Sequence, residues 1–301
     1  MNIIFAKTNS HWARYSEYEY RCGEDGELYL MPTPTAMPSV YDPMKDPEPL
    51  VVDALNVGRL AMKRGDEKPI RDAVLEFVAK YGLLGFMPAL PTTPDFVNYD
   101  AVYLPKNHFI REETLTTQKY IAYFFPFHKP DIYNDKQHAR WNVSTDDHSR
   151  EVVALTATFI HEPWAVGMSL LPIYAERFDW LVTQFRDWAA RLVSTFLFYE
   201  YKDEIDQATL DIYRQGVSAF GDKAPTYNIR LYDDMPKIVW NFHSLMLTVQ
   251  TLFGFALTDE KRPVRICKHC NQAFITGHPN ATFCNPKCKN QYNVYKGRHK
   301  K

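Results

Sequence analysis

The sequence predicts a mainly α (α+β) fold, in which a small β-containing N-terminal part precedes a helical body and a cysteine-rich C-terminal module. Amphipathic periodicity predicts the helices, and it is clearest between residues 174 and 201. Alternating aromatic and polar residues near the N-terminus predict short strands. Four of the five cysteines fall within the last 35 residues, and this clustering marks the C-terminal module.

Residues 1–46 are predicted to be the β-containing part. Tyr15, Tyr18, Tyr20 and the run Leu28-Tyr29-Leu30 have the alternation and composition of short strands. Five prolines then follow between Pro32 and Pro47, and they indicate an extended linker.

Residues 47–260 are predicted to form a mainly helical domain. Segments 50–63 and 70–81 are amphipathic, and Gly82 follows the second of them as a stop signal. A further helix is expected near 206–215 and a strand near 227–232. Prolines interrupt residues 88–150, for which the sequence predicts only strand-like and short helical pieces.

Residues 238–257 contain no charged residue and 13 apolar ones over 20 positions, which is the length of a membrane span. Polar residues such as Asn241, His243 and Gln250 lie inside the run, and polar groups are costly in lipid. We therefore predict a buried central helix that leads into the C-terminal module, with His243 as a hydrogen-bonded core residue and no membrane association.

The cysteines of the C-terminal module are spaced Cys267-x2-Cys270-x13-Cys284-x3-Cys288. Two short Cys pairs separated by a loop are typical of a tetrahedral zinc site. Four thiolates fill the coordination sphere, so the spacing predicts one structural Zn²⁺ and no open catalytic position. Ordinary thiols or two disulfides are the alternatives, and His269 or His278 can replace a cysteine as ligand.

The segment after Cys284 has the signals of a helix start. Asn285 suits the N-cap, and Pro286 suits the first helical position, where a missing N–H is no loss. Cys288 then falls in the first turn, where the helix dipole favours a thiolate. The tight turn that carries Cys267 and Cys270 (the knuckle), a strand at 273–275 and a helix that supplies the last ligand are the parts of a treble clef. Together they predict a treble-clef-like zinc finger over residues 261–301.

Charge is distributed unevenly along the chain. Residues 261–301 contain ten Lys and Arg residues and no Asp or Glu. Removing these ten from the 35 basic residues of the chain leaves 25 basic against 36 acidic residues in 1–260, a net charge of −11. This asymmetry favours a basic module that contacts an anionic partner.

The predicted C-terminal helix is therefore a candidate for binding DNA or RNA. Lys289, Asn293, Lys296 and Lys300 share one helical face, and Tyr292 and Tyr295 lie on the face of Cys288. The alternatives are a solvated charged face, a tail that docks on the acidic body, or a module for a protein partner or homo-oligomer. The candidate nucleic-acid-binding residues are Lys287, Lys289, Asn290, Asn293, Lys296, Arg298, Lys300 and Lys301.

The module resembles a known family. The runs Arg265-Ile266-Cys267-Lys268-His269-Cys270 and Phe283-Cys284-Asn285-Pro286-Lys287-Cys288-Lys289-Asn290-Gln291 are similar to the CGNR-type zinc finger of bacterial proteins. Related bacterial fingers that end in a Cys-x-Asn-x-Tyr-x-x-Tyr helix are similar as well, through Cys288, Asn290, Tyr292 and Tyr295. The resemblance implies a finger attached to a helical N-terminal domain and a role in transcription regulation.

Enzyme signatures are largely missing from the sequence. His161-Glu162 is followed by Pro163 and lacks the second histidine of a metalloprotease helix, and Asp146-Asp147-His148 indicates a polar turn. A treble-clef nuclease would need an open metal position and a base such as His278. The N-terminal residues lack a signal-peptide pattern, so we expect a cytoplasmic, non-enzymatic protein.

Overall fold

A computed structural model describes residues 8–63, 65–128, 163–201, 203–218, 224–278 and 280–298. The fold is α+β, with more helix than strand and several small sheets. The predicted fold class is confirmed at this level. The proposed division at residues 46 and 260 stays a prediction.

The N-terminal part contains five short strands: β1 Thr8–Asn9, β2 Trp12–Tyr15, β3 Tyr18–Cys22, β4 Leu28–Pro32 and β5 Pro38–Tyr41. β3 and β4 confirm the short strands that the aromatic alternation predicts, and the two pair as an antiparallel hairpin. β5 pairs antiparallel with β2, and Ala36 lies in the main core. The prediction of a linker was therefore wrong at these residues, because proline is tolerated where a short strand begins.

Two predicted helices of the body are confirmed as α1 Pro47–Ala61 and α2 Lys68–Tyr81. α2 ends at Gly82, whose φ of 88° lies in the left-handed region. α1 approaches a later helix closely at Gly58, where a Cβ atom would lie 1.9 Å from the carbonyl oxygen of Phe185. Only glycine therefore permits this packing.

The middle of the body consists of short elements. They are α3 Phe86–Ala89, a 3₁₀ turn at Phe96–Asn98, β6 Ala101–Tyr103, β7 Thr114–Thr116, α4 Thr117–Ala122, α5 Trp164–Met168 and β8 Glu176–Arg177. β6 pairs with β7, and β8 joins the edge of β4. Fully buried aromatic rings pack between them, as in the stacked pair Phe124 and Tyr174.

Glu176 is a fully buried carboxylate at the centre of this region. Its oxygens accept hydrogen bonds from the backbone N–H groups of Leu84, Gly85 and Phe86 and from the Tyr174 hydroxyl. Burial raises its pKa, although these hydrogen bonds act to lower it. The side chain therefore ties β8 to the start of α3.

The long helix α6 Phe178–Tyr201 matches the strongest periodicity in the sequence. Its buried face packs on α1 and α2, and the rings of Phe77 and Phe185 are 4.8 Å apart. α7 Gln207–Ser218 follows, and it also confirms a predicted helix.

Residues 238–257 are not one helix, and this prediction was wrong. Residues 238–241 belong to β10 Met235–Asn241, which pairs with β9 Thr226–Tyr232, and α8 Leu245–Thr258 begins only after the Ser244 cap. The β-branched and aromatic run Ile238-Val239-Trp240 favours a strand, and the absence of charge hides the change of structure.

His243 therefore precedes α8 instead of lying on it. Its φ is 58°, and its Nε2 lies 2.7 Å from the hydroxyl of Thr226. The ring is half-buried, so the predicted hydrogen bond is present but the position in the core is not. Within the described ranges, no helix has both the length and the apolar character needed to cross a bilayer.

Candidate metal centre

The first two cysteines lie on a turn between two short strands, β11 Val264–Ile266 and β12 Ala273–Ile275, which pair antiparallel. The turn closes through hydrogen bonds from the Asn271 N–H to the Cys267 carbonyl and from the Cys267 N–H to the Gln272 carbonyl. Asn271 adopts a φ of 59°, which asparagine tolerates better than most residues. The local sequence thus turns Cys267 and Cys270 to one side of the hairpin.

The other two cysteines flank the start of α9 Pro286–Arg298. The Cys288 N–H donates to the Asn285 side-chain oxygen at 2.8 Å, which confirms Asn285 as the helix cap. Pro286 occupies the first position of the helix, so Cys288 falls in its first turn. The cap and the proline together fix where the helix starts, and so they set the position of Cys288 relative to Cys284.

The four cysteines form one cluster, in which all Sγ atoms lie within 4.8 Å of one another. The Cys270–Cys284 Sγ distance is 3.7 Å and the Cys284–Cys288 distance is 3.5 Å. Metal–sulfur bonds of about 2.3 Å in a tetrahedron would separate the sulfurs by about 3.8 Å. The four cysteines are free in the structure, and these two distances exceed the about 2.05 Å of a disulfide bond. The cluster therefore fits a single metal ion.

The surroundings of the sulfurs favour negative charge at one position and oppose it at another. Burial acts to raise the pKa of Cys267, but hydrogen bonds from the backbone N–H groups of Cys270, Cys284 and His269 lower it to about 6. Burial and the adjacent thiols raise the pKa of Cys284. Four thiolates at this spacing repel one another, and a cation at their centre would offset that repulsion.

A small apolar and aromatic cluster surrounds the thiols. Phe274 is buried beside Cys267 and Cys288. The ring of Phe283 packs on Tyr292 at 5.2 Å, and the ring of His269 stacks on Tyr295 at 5.9 Å. Tyr292 and Tyr295 therefore tie α9 to the knuckle, as their shared helical face predicts.

The histidine alternatives are not met by the structure. Among the described residues, the cluster able to hold a metal consists of the four cysteines, without His269 or His278. His269 instead contacts Tyr295, and His278 closes a local turn by donating its N–H to the Thr276 hydroxyl. The four cysteines that the spacing predicts as ligands are thus the residues that the structure brings together.

The hairpin of the finger docks on helix α1 of the body. The Asn56 side chain accepts from the Ala273 N–H at 2.7 Å and donates to the Ala273 carbonyl at 3.3 Å, so it acts like a neighbouring strand. Arg59 donates to the Asn271 carbonyl. Val264 and Ala273 also lie in the main hydrophobic core. The predicted packing of finger against body is confirmed.

A charged pair adds to this contact. Arg262 donates to the two carboxylate oxygens of Glu48 from its terminal nitrogens Nη1 and Nη2, at 2.6 and 2.8 Å. Sequence reasoning did not identify these partners. No local pattern could have indicated them, because 217 positions separate Asn56 from Ala273 and 214 separate Glu48 from Arg262.

The residues predicted to contact nucleic acid lie mainly on α9. Lys287, Lys289, Asn290, Asn293 and Lys296 are all exposed to solvent. Arg298 is the last residue of the helix, while Lys300 and Lys301 lie outside the described residues. The rejected enzyme motifs at 146–148 and 161–162 also lie outside them. The structure thus exposes a basic helix, and its partner stays a prediction.

Comparison of the chain with protein-family models, with curated proteins and with solved structures gives no match. The likeness of residues 265–291 to CGNR-type fingers therefore rests on the motif alone.

Proposed function

We propose that the C-terminal module is a zinc finger that presents a basic helix to nucleic acid. Four sulfur ligands in a compact cluster suit Zn²⁺, which accepts tetrahedral thiolate coordination without a redox change. A full set of protein ligands makes the ion structural and leaves no position for a water nucleophile. A hairpin that carries the first cysteine pair, followed by a helix that carries the last cysteine, supports the proposal of a treble-clef finger of the CGNR type.

The proposal of nucleic-acid binding is carried by the exposure of Lys287, Lys289 and Lys296 on α9. Within the part of the chain that the structure describes, none of the three forms an ion pair with a carboxylate of the body. The hairpin faces α1 and residues 261–301 contain no acidic residue, so no carboxylate of the finger itself repels a phosphate that approaches the helix. Asn290 and Asn293 are exposed beside the lysines and can reach base edges or phosphates.

The direct test is a salt titration of binding to random duplex DNA and to single-stranded RNA. The substitutions Lys287→Gln, Lys289→Gln and Lys296→Gln are combined in one full-length variant. Each duplex phosphate contact contributes about 0.9 to the slope of log K against log salt, so losing three contacts reduces the slope by about 2.7. Binding at low salt should fall at least 10-fold.

The matched control removes three exposed lysines of the body, with Lys68→Gln, Lys106→Gln and Lys237→Gln. Its net charge equals that of the α9 variant, so an effect of overall charge would weaken both proteins equally. Equal losses would count against the proposed surface. Absence of salt-dependent binding by the wild-type protein would refute the function itself.

A second candidate is a structural finger that completes the body and takes part in protein contacts. The reciprocal hydrogen bonds of Asn56 and the two-point contact of Glu48 with Arg262 favour it, because they fix the hairpin to α1. This candidate predicts that metal removal changes body stability without any effect on nucleic-acid affinity. A thermal melt and the salt titration, run on the same metal-free sample, distinguish the two.

A further inference from the structure

The hairpin of β9 and β10 has one face that consists of apolar residues. Three cross-strand pairs form this ladder: Tyr227 with Trp240, Ile229 with Ile238, and Leu231 with Pro236. Residues directly opposite each other in an antiparallel pair point to the same side of the sheet, so all six side chains share one face. We call these six residues the apolar ladder.

The apolar ladder points away from the body. Tyr227 is 61% exposed, Ile229 69%, Leu231 74% and Ile238 50%. The opposite face of the hairpin contains Val239 and Asn241, which are buried at its base. Side chains alternate along a strand, so these four side chains extend into solvent from the other face, while Trp240 at the base of the ladder is half-buried.

The area of the ladder falls in the range of the largest apolar patches on monomeric proteins, which are often functional. Large apolar side chains expose more than half of their surface at several positions, which gives a patch on the order of 500 Å². Monomeric proteins rarely leave a contiguous apolar patch of more than a few hundred Å² in water. A stable interface buries about 800 Å² on each partner, so the ladder supplies more than half of that area.

We propose that the apolar ladder is the centre of a homodimer interface, in which the hairpins of two copies pack face to face. The ladder has no charged residue, so pairing it with itself brings no like charges together. A two-fold axis lets one patch serve both sides of the contact. This proposal does not depend on nucleic-acid binding by the finger.

The turn of the hairpin indicates the relative orientation of the two copies. Asp233 and Asp234 form the two-residue turn, and both have positive φ, at 50° and 61°. Parallel hairpins would place four carboxylates side by side, whereas antiparallel hairpins place the two turns at opposite ends. The aromatic pair Tyr227 and Trp240 of one copy then packs near Leu231 and Pro236 of the other.

The test is the molar mass of the full-length protein in solution, measured by light scattering and by sedimentation between about 1 and 100 µM. We expect the wild-type protein to reach twice the 35.1 kDa mass of one chain within this range. The double variant Ile229→Lys with Ile238→Lys places two charges at the centre of the ladder. Its dimer should dissociate, with the dissociation constant raised at least 100-fold.

Met235→Lys is the matched control, because Met235 is 62% exposed on the same hairpin but pairs with Tyr232 on the opposite face. This variant should remain dimeric. Circular dichroism and melting temperature check that each variant is folded. A wild-type protein that is monomeric at 100 µM overturns the proposal, and so does a dimer that survives in the folded double variant or dissociates equally in Met235→Lys.

Discussion

The body and the finger are held together by different forces. In the body, large aromatic side chains such as Phe86, Phe185 and Trp188 are fully buried in one hydrophobic core. The separate cluster around α9 has a single buried ring, that of Phe274, and its other buried members are Cys267 and Cys288. A segment of this size cannot bury enough apolar surface to order itself, and a metal ion held by the four cysteines would replace the missing core.

The finger itself has one part that the hydrophobic core of the body stabilises and one part that the cysteine cluster stabilises. The hairpin β11–β12 shares the main core through Val264 and Ala273 and is bonded to α1 through Asn56. α9 is attached through Cys288, Tyr292 and Tyr295 to the knuckle alone, among the contacts that the structure describes. We therefore expect metal loss to release α9 while the hairpin stays on the body.

Cys284→Ser has the largest expected effect, because structural zinc contributes roughly 10–16 kcal/mol in small fingers. We expect the metal content of the purified protein to fall from about one equivalent per chain to below about 0.1. Amide protons of residues 286–298 should lose protection from exchange, while those of α1 and α6 keep it. Elemental analysis and hydrogen exchange by mass spectrometry measure both results.

Cys22→Ser is the matched control, since Cys22 is an exposed free cysteine on β3. It should retain the metal and the protection of α9. Full metal content in Cys284→Ser would contradict the assignment of the site. Global loss of protection in that variant would contradict the separation of body from finger.

The cysteine cluster and the start of α9 could be predicted from the sequence because their signals are local. Cysteine spacing, the Asn285 cap and the proline at the first helical position all lie within a few residues of the structure they specify. The helices α1, α2 and α6 were predictable for a similar reason, since periodicity identifies a buried face without naming what covers it.

What could not be predicted depends on distant contacts or on mixed signals. Asn56 is an ordinary helix residue until Ala273 is placed beside it, and Glu176 is an ordinary carboxylate until three N–H groups of residues 84–86 surround it. The uncharged run 238–257 conceals a strand, a left-handed residue and a helix cap in succession. Composition alone cannot separate these.

Glu176→Ala tests the body as Cys284→Ser tests the finger, and its expected effect is the next largest. It leaves three buried N–H groups and the Tyr174 hydroxyl without their acceptor, which costs on the order of 4 kcal/mol of unfolding free energy. Metal content should be unchanged. Chemical denaturation combined with elemental analysis tests the prediction, and loss of metal in this variant would show that body and finger are coupled.

The pH dependence of the same site has a definite sign. Because the pKa of Glu176 in the folded protein is raised above its ordinary value of 4.5, the native state holds this proton more tightly than the unfolded state. Its contribution to stability is complete at acid pH and declines as pH rises above 4.5 through the raised pKa. The unfolding free energy of the wild type minus that of Glu176→Gln should therefore fall with rising pH. A rise in this quantity would contradict the direction of the pKa shift.

Asn56→Ala tests the junction between the two regions. The change leaves the N–H and carbonyl of Ala273 without their partner, and we expect a loss of about 1–3 kcal/mol in unfolding free energy. Hydrogen exchange should accelerate in β12 while the metal content stays at one equivalent. Asn98→Ala, at an exposed position of the body, is the control and should change stability by less than about 0.5 kcal/mol. Equal losses of stability in both variants would show that Asn56 does not anchor the hairpin to α1.

Glu48→Gln has the smallest expected effect, although its ion pair with Arg262 joins the two regions directly. Both side chains are partly exposed, at 26% and 46%, so water and salt screen the interaction. We expect a coupling energy of about 0.2–1 kcal/mol in a double-mutant cycle with Arg262→Gln. The coupling should nearly vanish at 1 M salt, where the screening length is about 3 Å.

The pair Glu67–Arg71 at the start of α2 is the matched comparison, because it lies at 3.0 Å on the surface of the body alone. A cycle on that pair should give an equal or smaller coupling, since its two partners are already held by one helix and their contact does not join separate regions. If the Glu48–Arg262 coupling instead exceeds about 2 kcal/mol and resists salt, the ion pair outweighs Asn56 as the anchor of the finger. The hairpin would then detach from α1 in the Glu48→Gln variant, and added salt would leave it attached in the wild-type protein.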